Sequence, residues 1–187
     1  MKYIIILSYI FFISEFILML VKRSKKKTSK QRSDKGSLAL LWVMITLCLT
    51  FGFVFSFANY HDWDLAKYIT VGIGALIILI GGLIRWISIL QLKKAFTVDV
   101  AIGNEQTLKT DGMYKSIRHP SYLGLYLIMI GFSICMYSFF SVLVIAIPML
   151  LVLLYRIKVE EDVLIDEFGE RYIAYRAKTK RIFPGIF

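Results

Sequence analysis

The sequence predicts an all-α integral membrane protein: about five transmembrane helices, the last two forming a helical hairpin, followed by a cytoplasmic amphipathic helix. Three observations predict it. Of the 187 residues, 58% are hydrophobic and the mean hydropathy is +0.67, whereas soluble domains are nearer half apolar. The apolar residues are gathered into runs long enough to cross a bilayer. The formal net charge of +10 is concentrated between Lys22 and Lys35, where eight Lys or Arg face one acid, Asp34. A basic block between apolar runs marks a loop retained on the cytoplasmic side, so no nucleic-acid partner is expected.

Tyr3 to Val21 is the first apolar run, just long enough to span, and the basic block after it acts as a stop-transfer signal rather than a cleavage site. Glu15 lies inside it, with two readings: an intramembrane functional acid, or, as favoured here, a side chain that snorkels to the basic end or pairs with Arg23. Leu38 to Ala58 is the second span. The short acidic loop Asn59 to Lys67 follows, its Tyr60 and Trp63 suited to a membrane interface and His61 read as a solvated loop residue. Tyr68 to Leu90 is the third span. Gly74, Gly81 and Arg85 share one face of it, because spacings of seven and four return to the same side of a helix. Small residues there let another helix approach closely. Arg85 either snorkels toward Lys93 or lines a site, and the spacing leaves both readings open.

Gln91 to Ser121 is a polar connection too long for an idle loop. Tyr122 to Tyr155 is then an apolar run of 34 residues; as one helix it would be about 51 Å long, far beyond the hydrocarbon core. Two helices with a turn near Tyr137 to Ser141 fit better, Pro148 kinking the second without ending it. By parity the basic loop, the 91–121 connection and the tail from Arg156 are cytoplasmic, and the N-terminus is outside. The chain thus divides into an N-terminal three-helix region, 1–90, and a second region, 91–187, carrying the connection, hairpin and tail. In the tail Ile157, Leu164, Phe168, Tyr172 and Tyr175 form one apolar stripe with Glu161 in its middle, while Glu160 lies on the side of Arg156.

The chemistry concentrates in Asp111 to Gly124, DGMYKSIRHPSYLG. Pro120 fits the first turn of a helix, which sets Arg118, His119, Ser121 and Tyr122 at the rim of the bilayer. Gly-rich phosphate loops, nucleophile elbows and metal-ligand spacings are absent from the sequence. Cys48 and Cys135 both lie in apolar runs, so no disulfide framework or metal site is expected. The remaining groups, Tyr114, Arg118, His119 and Tyr122 with Arg156, Glu160 and Glu161, suit a zwitterionic cofactor with an adenosine part, beside an anionic group anchored by an arginine.

GMYKSIRHPSYLG, an apolar hairpin, and RIKVEEDVLIDEFGERYIAYRAKTKRIFPG together resemble the isoprenylcysteine carboxyl methyltransferase family and, more distantly, membrane phospholipid methyltransferases. The likeness covers roughly Phe96 to Gly185. It implies S-adenosylmethionine as methyl donor and a lipophilic acceptor, an isoprenylcysteine-like compound or lipid, entering from the bilayer and methylated on oxygen. By position it implies donor contacts at Gln106, Thr107, Leu108, Lys109, Tyr114, His119, Pro120, Ser121, Tyr122 and Glu160. Arg156 would meet the acceptor's carboxylate, and Arg156 and Glu160 would form the catalytic pair. Gln106 stands where the family has His, and Lys109 where it has an apolar residue. A minimal chain of this kind suits a bacterial inner membrane. Two other readings compete: an NADPH-dependent sterol-type membrane reductase, which must hold extra phosphates, and a non-catalytic lipid-binding protein, which leaves Arg156, Glu160 and His119 without a shared task.

Overall fold

The computed structural model describes residues 2–21, 36–58, 65–92 and 108–183. The basic loop, Tyr60, His61, Trp63, Lys93, Gln106 and Thr107 lie outside the described residues. Six helices follow in order: α1 (Lys2–Val21), α2 (Ser37–Ala58), α3 (Leu65–Leu92), α4 (Pro120–Cys135), α5 (Phe139–Phe168) and α6 (Glu170–Lys178), with a 3-10 turn at Gly112–Lys115. Three of them carry stretches long and apolar enough to cross a membrane, Ser37–Phe57, Ala66–Leu92 and Phe139–Phe168; Ile5–Leu18 and Pro120–Cys135 are shorter apolar helices. Their outward faces carry large apolar side chains, among them Ile13, Phe51, Leu79, Phe139 and Leu151. Bare apolar faces on this scale suit lipid rather than water.

Close backbone approach decides how α3 and α4 pack. A Cβ on Gly81 would stand 2.7 Å from the Gly124 carbonyl, and one on Gly74 would stand 2.7 Å from the Gly131 carbonyl. Two pairs of glycines, each seven residues apart, therefore form one antiparallel seam, as the face of Gly74 and Gly81 predicts. A core of Leu41, Ile45, Phe132, Ile145, Met149 and Leu153 fills the space between α2, α4 and α5.

The long apolar run does fold as a hairpin. Its turn, Met136 to Ser138, places Tyr137 at φ 50°, and the Ser138 hydroxyl caps α5 by accepting from the Ser141 N–H. Helix α2 braces this turn: Ser56 donates to the Met136 carbonyl (2.7 Å) and Ser141 to the Gly52 carbonyl (2.8 Å). Pro148 sits inside α5 without ending it.

The tail departs from expectation. The stripe from Ile157 to Tyr175 predicts one separate amphipathic helix, but α5 runs uninterrupted out of the apolar zone to Phe168. Gly169, at φ 53°, then breaks the chain before α6. That conformation suits glycine, which has no Cβ to clash. The segment after α6 returns to the start of α4. Lys180 forms a parallel bridge with Ile117, its carbonyl accepts from the Arg118 N–H (2.8 Å), and the Arg181 carbonyl accepts from the His119 N–H (3.0 Å).

Candidate active site

The start of α4 is built as its sequence predicts. Pro120 occupies the first helical turn with His119 as the capping residue, and both are buried. Tyr122, one turn in, stacks its ring on His119 at 5.7 Å and 27°. Its hydroxyl donates to Glu160 Oε2 (2.8 Å) and accepts from Arg156 Nε (3.0 Å). The phenol thus joins the two tail residues that spacing alone places on one side of α5. Arg156, 2% exposed, also donates from Nη1 to the Ser37 hydroxyl at the start of α2 (2.7 Å).

The adjacent glutamates have different surroundings. Glu160 is a third exposed, with His119 Nδ1 at 3.9 Å from its Oε2. Glu161 is buried and surrounded by cations: Arg118 Nε donates to it at 2.8 Å, Arg181 Nε at 3.2 Å, and His119 Nε2 lies 3.4 Å away. Arg118 further donates to the carbonyls of Arg176 and Thr179. Glu161 is therefore the hub that fastens the α4 entry to α5 and the returning segment, whereas Glu160 is partly exposed.

Tyr114 is buried in the 3-10 turn. Its hydroxyl donates to the Ser88 carbonyl on α3 (3.3 Å) and its carbonyl accepts from the Tyr175 hydroxyl on α6 (2.6 Å). Burial, with the Glu160 carboxylate adding to it, raises the Tyr114 phenol far above its ordinary range, so it remains a neutral donor. Lys109 pairs with exposed Asp111 at 2.8 Å and Leu108 is half-buried. Among the described residues no group of His, Cys, Asp or Glu could hold a metal ion.

Two charged residues inside the bilayer zone find each other. Arg85 donates from Nε and Nη2 to the two carboxylate oxygens of Glu15 (2.5 and 2.6 Å), and from Nη1 to the Ser121 carbonyl (3.1 Å). The favoured reading of Glu15 does not survive, because its carboxylate is bound across helices by Arg85; of the two readings left open for Arg85, burial in the wall of a cleft is the one found. Opposite charges, each about two turns before the end of its helix, were the available signal. Ser37 carried no comparable signal. Glu15, Arg85, Ser121, Tyr122 and Arg156 line a narrow cleft with a cavity volume of about 30 Å³, its remaining wall apolar, from Leu38, Leu41, Trp42, Ile45 and Leu125. It is polar at one end and greasy along its side.

The Isoprenylcysteine carboxyl methyltransferase (ICMT) family matches residues 73–166, half of the chain. The chain belongs to this family. Among ICMT relatives it is similar to the protein-S-isoprenylcysteine O-methyltransferase of Saccharomyces cerevisiae, 28% identical over 156 residues that cover 82% of this chain and 65% of that protein. The Schizosaccharomyces pombe protein of the same name is 31% identical over 109 residues, 57% of this chain and 46% of that one. Protein-S-isoprenylcysteine O-methyltransferase B of Arabidopsis thaliana is 27% identical over 184 residues, 96% and 91% of the two chains. The chain thus spans about two thirds and about half of the two yeast proteins. A solved structure of the eukaryotic intramembrane Ras methyltransferase ICMT superposes with a TM-score of 0.66 at 24% identity, over 76% of this chain and 52% of that one, so the two share a fold. The matched ICMT range holds Arg85, Tyr122, Arg156 and Glu160; Glu15 and Ser37 precede it. These relatives are eukaryotic and lend no support to a bacterial host membrane.

Proposed function

We propose that the chain is a membrane-embedded methyltransferase that moves a methyl group from S-adenosylmethionine to the carboxylate of a lipophilic, isoprenylcysteine-like acceptor. The observation that carries this is the Arg156–Tyr122–Glu160 relay, which stands between a partly open carboxylate and an amphiphilic cleft. The family and the names of its relatives support the same chemistry. In this reading all five apolar helices cross the bilayer, with the N-terminus outside and the site cytoplasmic. Region 1–90 supplies the acceptor-side wall, and region 91–187 holds the donor.

The residues fit the donor. Glu160 offers an accessible carboxylate for an ammonium or ribose hydroxyls, with His119 and Tyr122 stacked beside it. Gln106, Thr107, Leu108, Lys109, Tyr114, Pro120 and Ser121 complete the donor contacts proposed. When bound, the sulfonium supplies an electrophilic methyl: the O–C ester bond forms as the C–S bond breaks, its electron pair returning to sulfur. A carboxylate acceptor needs no general base, so the protein's work is positioning and exclusion of water. Arg156 anchors the acceptor anion. The Tyr122 hydroxyl ties that anchor to Glu160, and so fixes the two substrates' holders relative to each other.

Purified protein in detergent tests this. S-adenosylmethionine at a hundredfold excess over Kd is expected to stabilise the native state by about 2.7 kcal/mol, and label from its methyl group should appear in a base-labile ester of S-farnesylcysteine. Arg156→Ala should mainly impair acceptor turnover. Stabilisation by NADPH alone would instead support the reductase reading and end this one.

A further inference from the structure

One buried hydroxyl is left over by the site as described. Tyr172, on α6, is 1% exposed, yet among the described residues its hydroxyl has no hydrogen-bond partner. Buried polar side-chain atoms in folded proteins are mostly paired, and methyl transfer as derived above makes no use of this one. The backbone of Tyr172 is fixed by the turn that opens α6, its N–H donating to the Gly169 carbonyl (3.0 Å).

The surroundings of this phenol are those proposed for the methyl donor. Tyr172 and Tyr175 share a face of α6, and their rings meet edge to face, 5.9 Å apart at 62°. Tyr175 commits its own hydroxyl to the Tyr114 carbonyl (2.6 Å), and Tyr114 is one of the proposed donor contacts. Burial raises the Tyr172 phenol far above its ordinary range, and the nearby charges of Glu161 and Glu160 add to it, so the group stays protonated and able to donate. Neither carboxylate takes that hydrogen: Glu161 accepts from Arg118 and Arg181, and Glu160 from Tyr122.

We propose that Tyr172 is a further donor-binding residue, its hydroxyl donating a hydrogen bond to an oxygen or nitrogen acceptor of bound S-adenosylmethionine. This rests on the reading of the site as a methyl-donor pocket.

The test uses detergent-solubilised full-length protein. Tyr172→Phe keeps the ring against Tyr175 and removes only the hydroxyl, so without ligand it should melt at or above the wild-type Tm. Tyr175→Phe, which loses a bond already made, should melt earlier. The S-adenosylmethionine Kd, read by titration calorimetry, should rise about three- to tenfold in Tyr172→Phe, the worth of one neutral hydrogen bond. A ligand-free Tm as low as that of Tyr175→Phe would mean that the hydroxyl is already paired in the folded protein and overturns the proposal, as does an unchanged Kd. Replacing Tyr172 by meta-fluorotyrosine sets one fluorine beside the hydroxyl. Its NMR signal should move on addition of S-adenosylhomocysteine, and an unmoved signal overturns the proposal even if Tyr172→Phe fails to fold. A wild type that binds no S-adenosylmethionine ends the reading of the site itself, whereas equal binding by wild type and Tyr172→Phe ends the Tyr172 assignment alone.

Discussion

Replacing Glu160 and Glu161 separately by Ala should separate ligand binding from stability in two neighbouring residues of one helix. Glu161 is buried, and Arg118, Arg181 and His119 converge on it. Removing one partner of a buried ionic cluster costs about 3–5 kcal/mol, and in a chain of this size each kcal/mol lowers Tm by roughly 2–4 °C. Glu161→Ala is therefore expected to unfold about 6–20 °C earlier. Glu160 is a third exposed and receives one hydrogen bond, from Tyr122. Water replaces part of that interaction, so its loss should cost less than about 1 kcal/mol of stability. Its proposed hydrogen bonds to the donor, charge-assisted and worth about 1.5–3 kcal/mol, correspond to a rise in donor Kd of roughly 10- to 150-fold. Thermal unfolding in detergent without ligand reads the first quantity, and S-adenosylmethionine titration reads the second. Equal Tm losses, or a Glu160→Ala protein that binds donor normally, would refute the division of roles.

Tyr122→Phe keeps the ring on His119 but removes the hydroxyl between Arg156 and Glu160; acceptor and donor KM should both rise while Tm falls by only a few degrees, measured by methyl transfer at varied substrate levels. Gly81→Ala places a methyl 2.7 Å from the Gly124 carbonyl; overpacking costs about 1–3 kcal/mol, so the variant should melt earlier than wild type, and Gly82→Ala, which meets nothing within 4 Å, should not. Burial pushes the Tyr175 phenol from 10.0 up to about 12, with Arg118 opposing it. A phenol whose folded pKa is raised adds stability that is fully present below its unfolded pKa and lost as pH rises through the folded one. Stability should therefore fall between about pH 10 and 12, and less steeply in Tyr175→Phe, measured by denaturation across that range.

Much of the fold was legible because membrane helices advertise themselves by run length, and because a run of 34 residues is too long for one crossing. The glycine face of α3 was legible for the same reason: spacing by seven survives any tertiary arrangement. The split of the tail was not, since hydrophobic periodicity continued through Gly169 and only its positive φ ends α5. The α4 entry followed from Pro120, and the resemblance pointed to Arg156 and Glu160. What spacing could not supply was Tyr122 as the link between them, because residues on different helices meet only through packing. The distinction between Glu160 and Glu161 was equally hidden. Both are acids on one turn, and their difference arises from Arg118 and Arg181, which come from segments on either side in sequence. Glu15 and Arg85 lie 70 residues apart, and each taken alone had an ordinary explanation near its own helix end.

The backbone of Arg118 and His119 is clamped by the carbonyls of Lys180 and Arg181, so the entry of α4 is completed by residues made after the whole hairpin. A ribosome delivers residues 116–119 first, then both arms of the hairpin, and the clamp only afterwards. The α4 entry thus reaches its final form only after both arms of the hairpin have been made, and the donor pocket proposed around His119 and Tyr122 is completed last. A chain truncated before Thr179 and released is accordingly expected to insert yet bind S-adenosylmethionine more weakly than the full chain, and equal binding by the two would contradict that dependence.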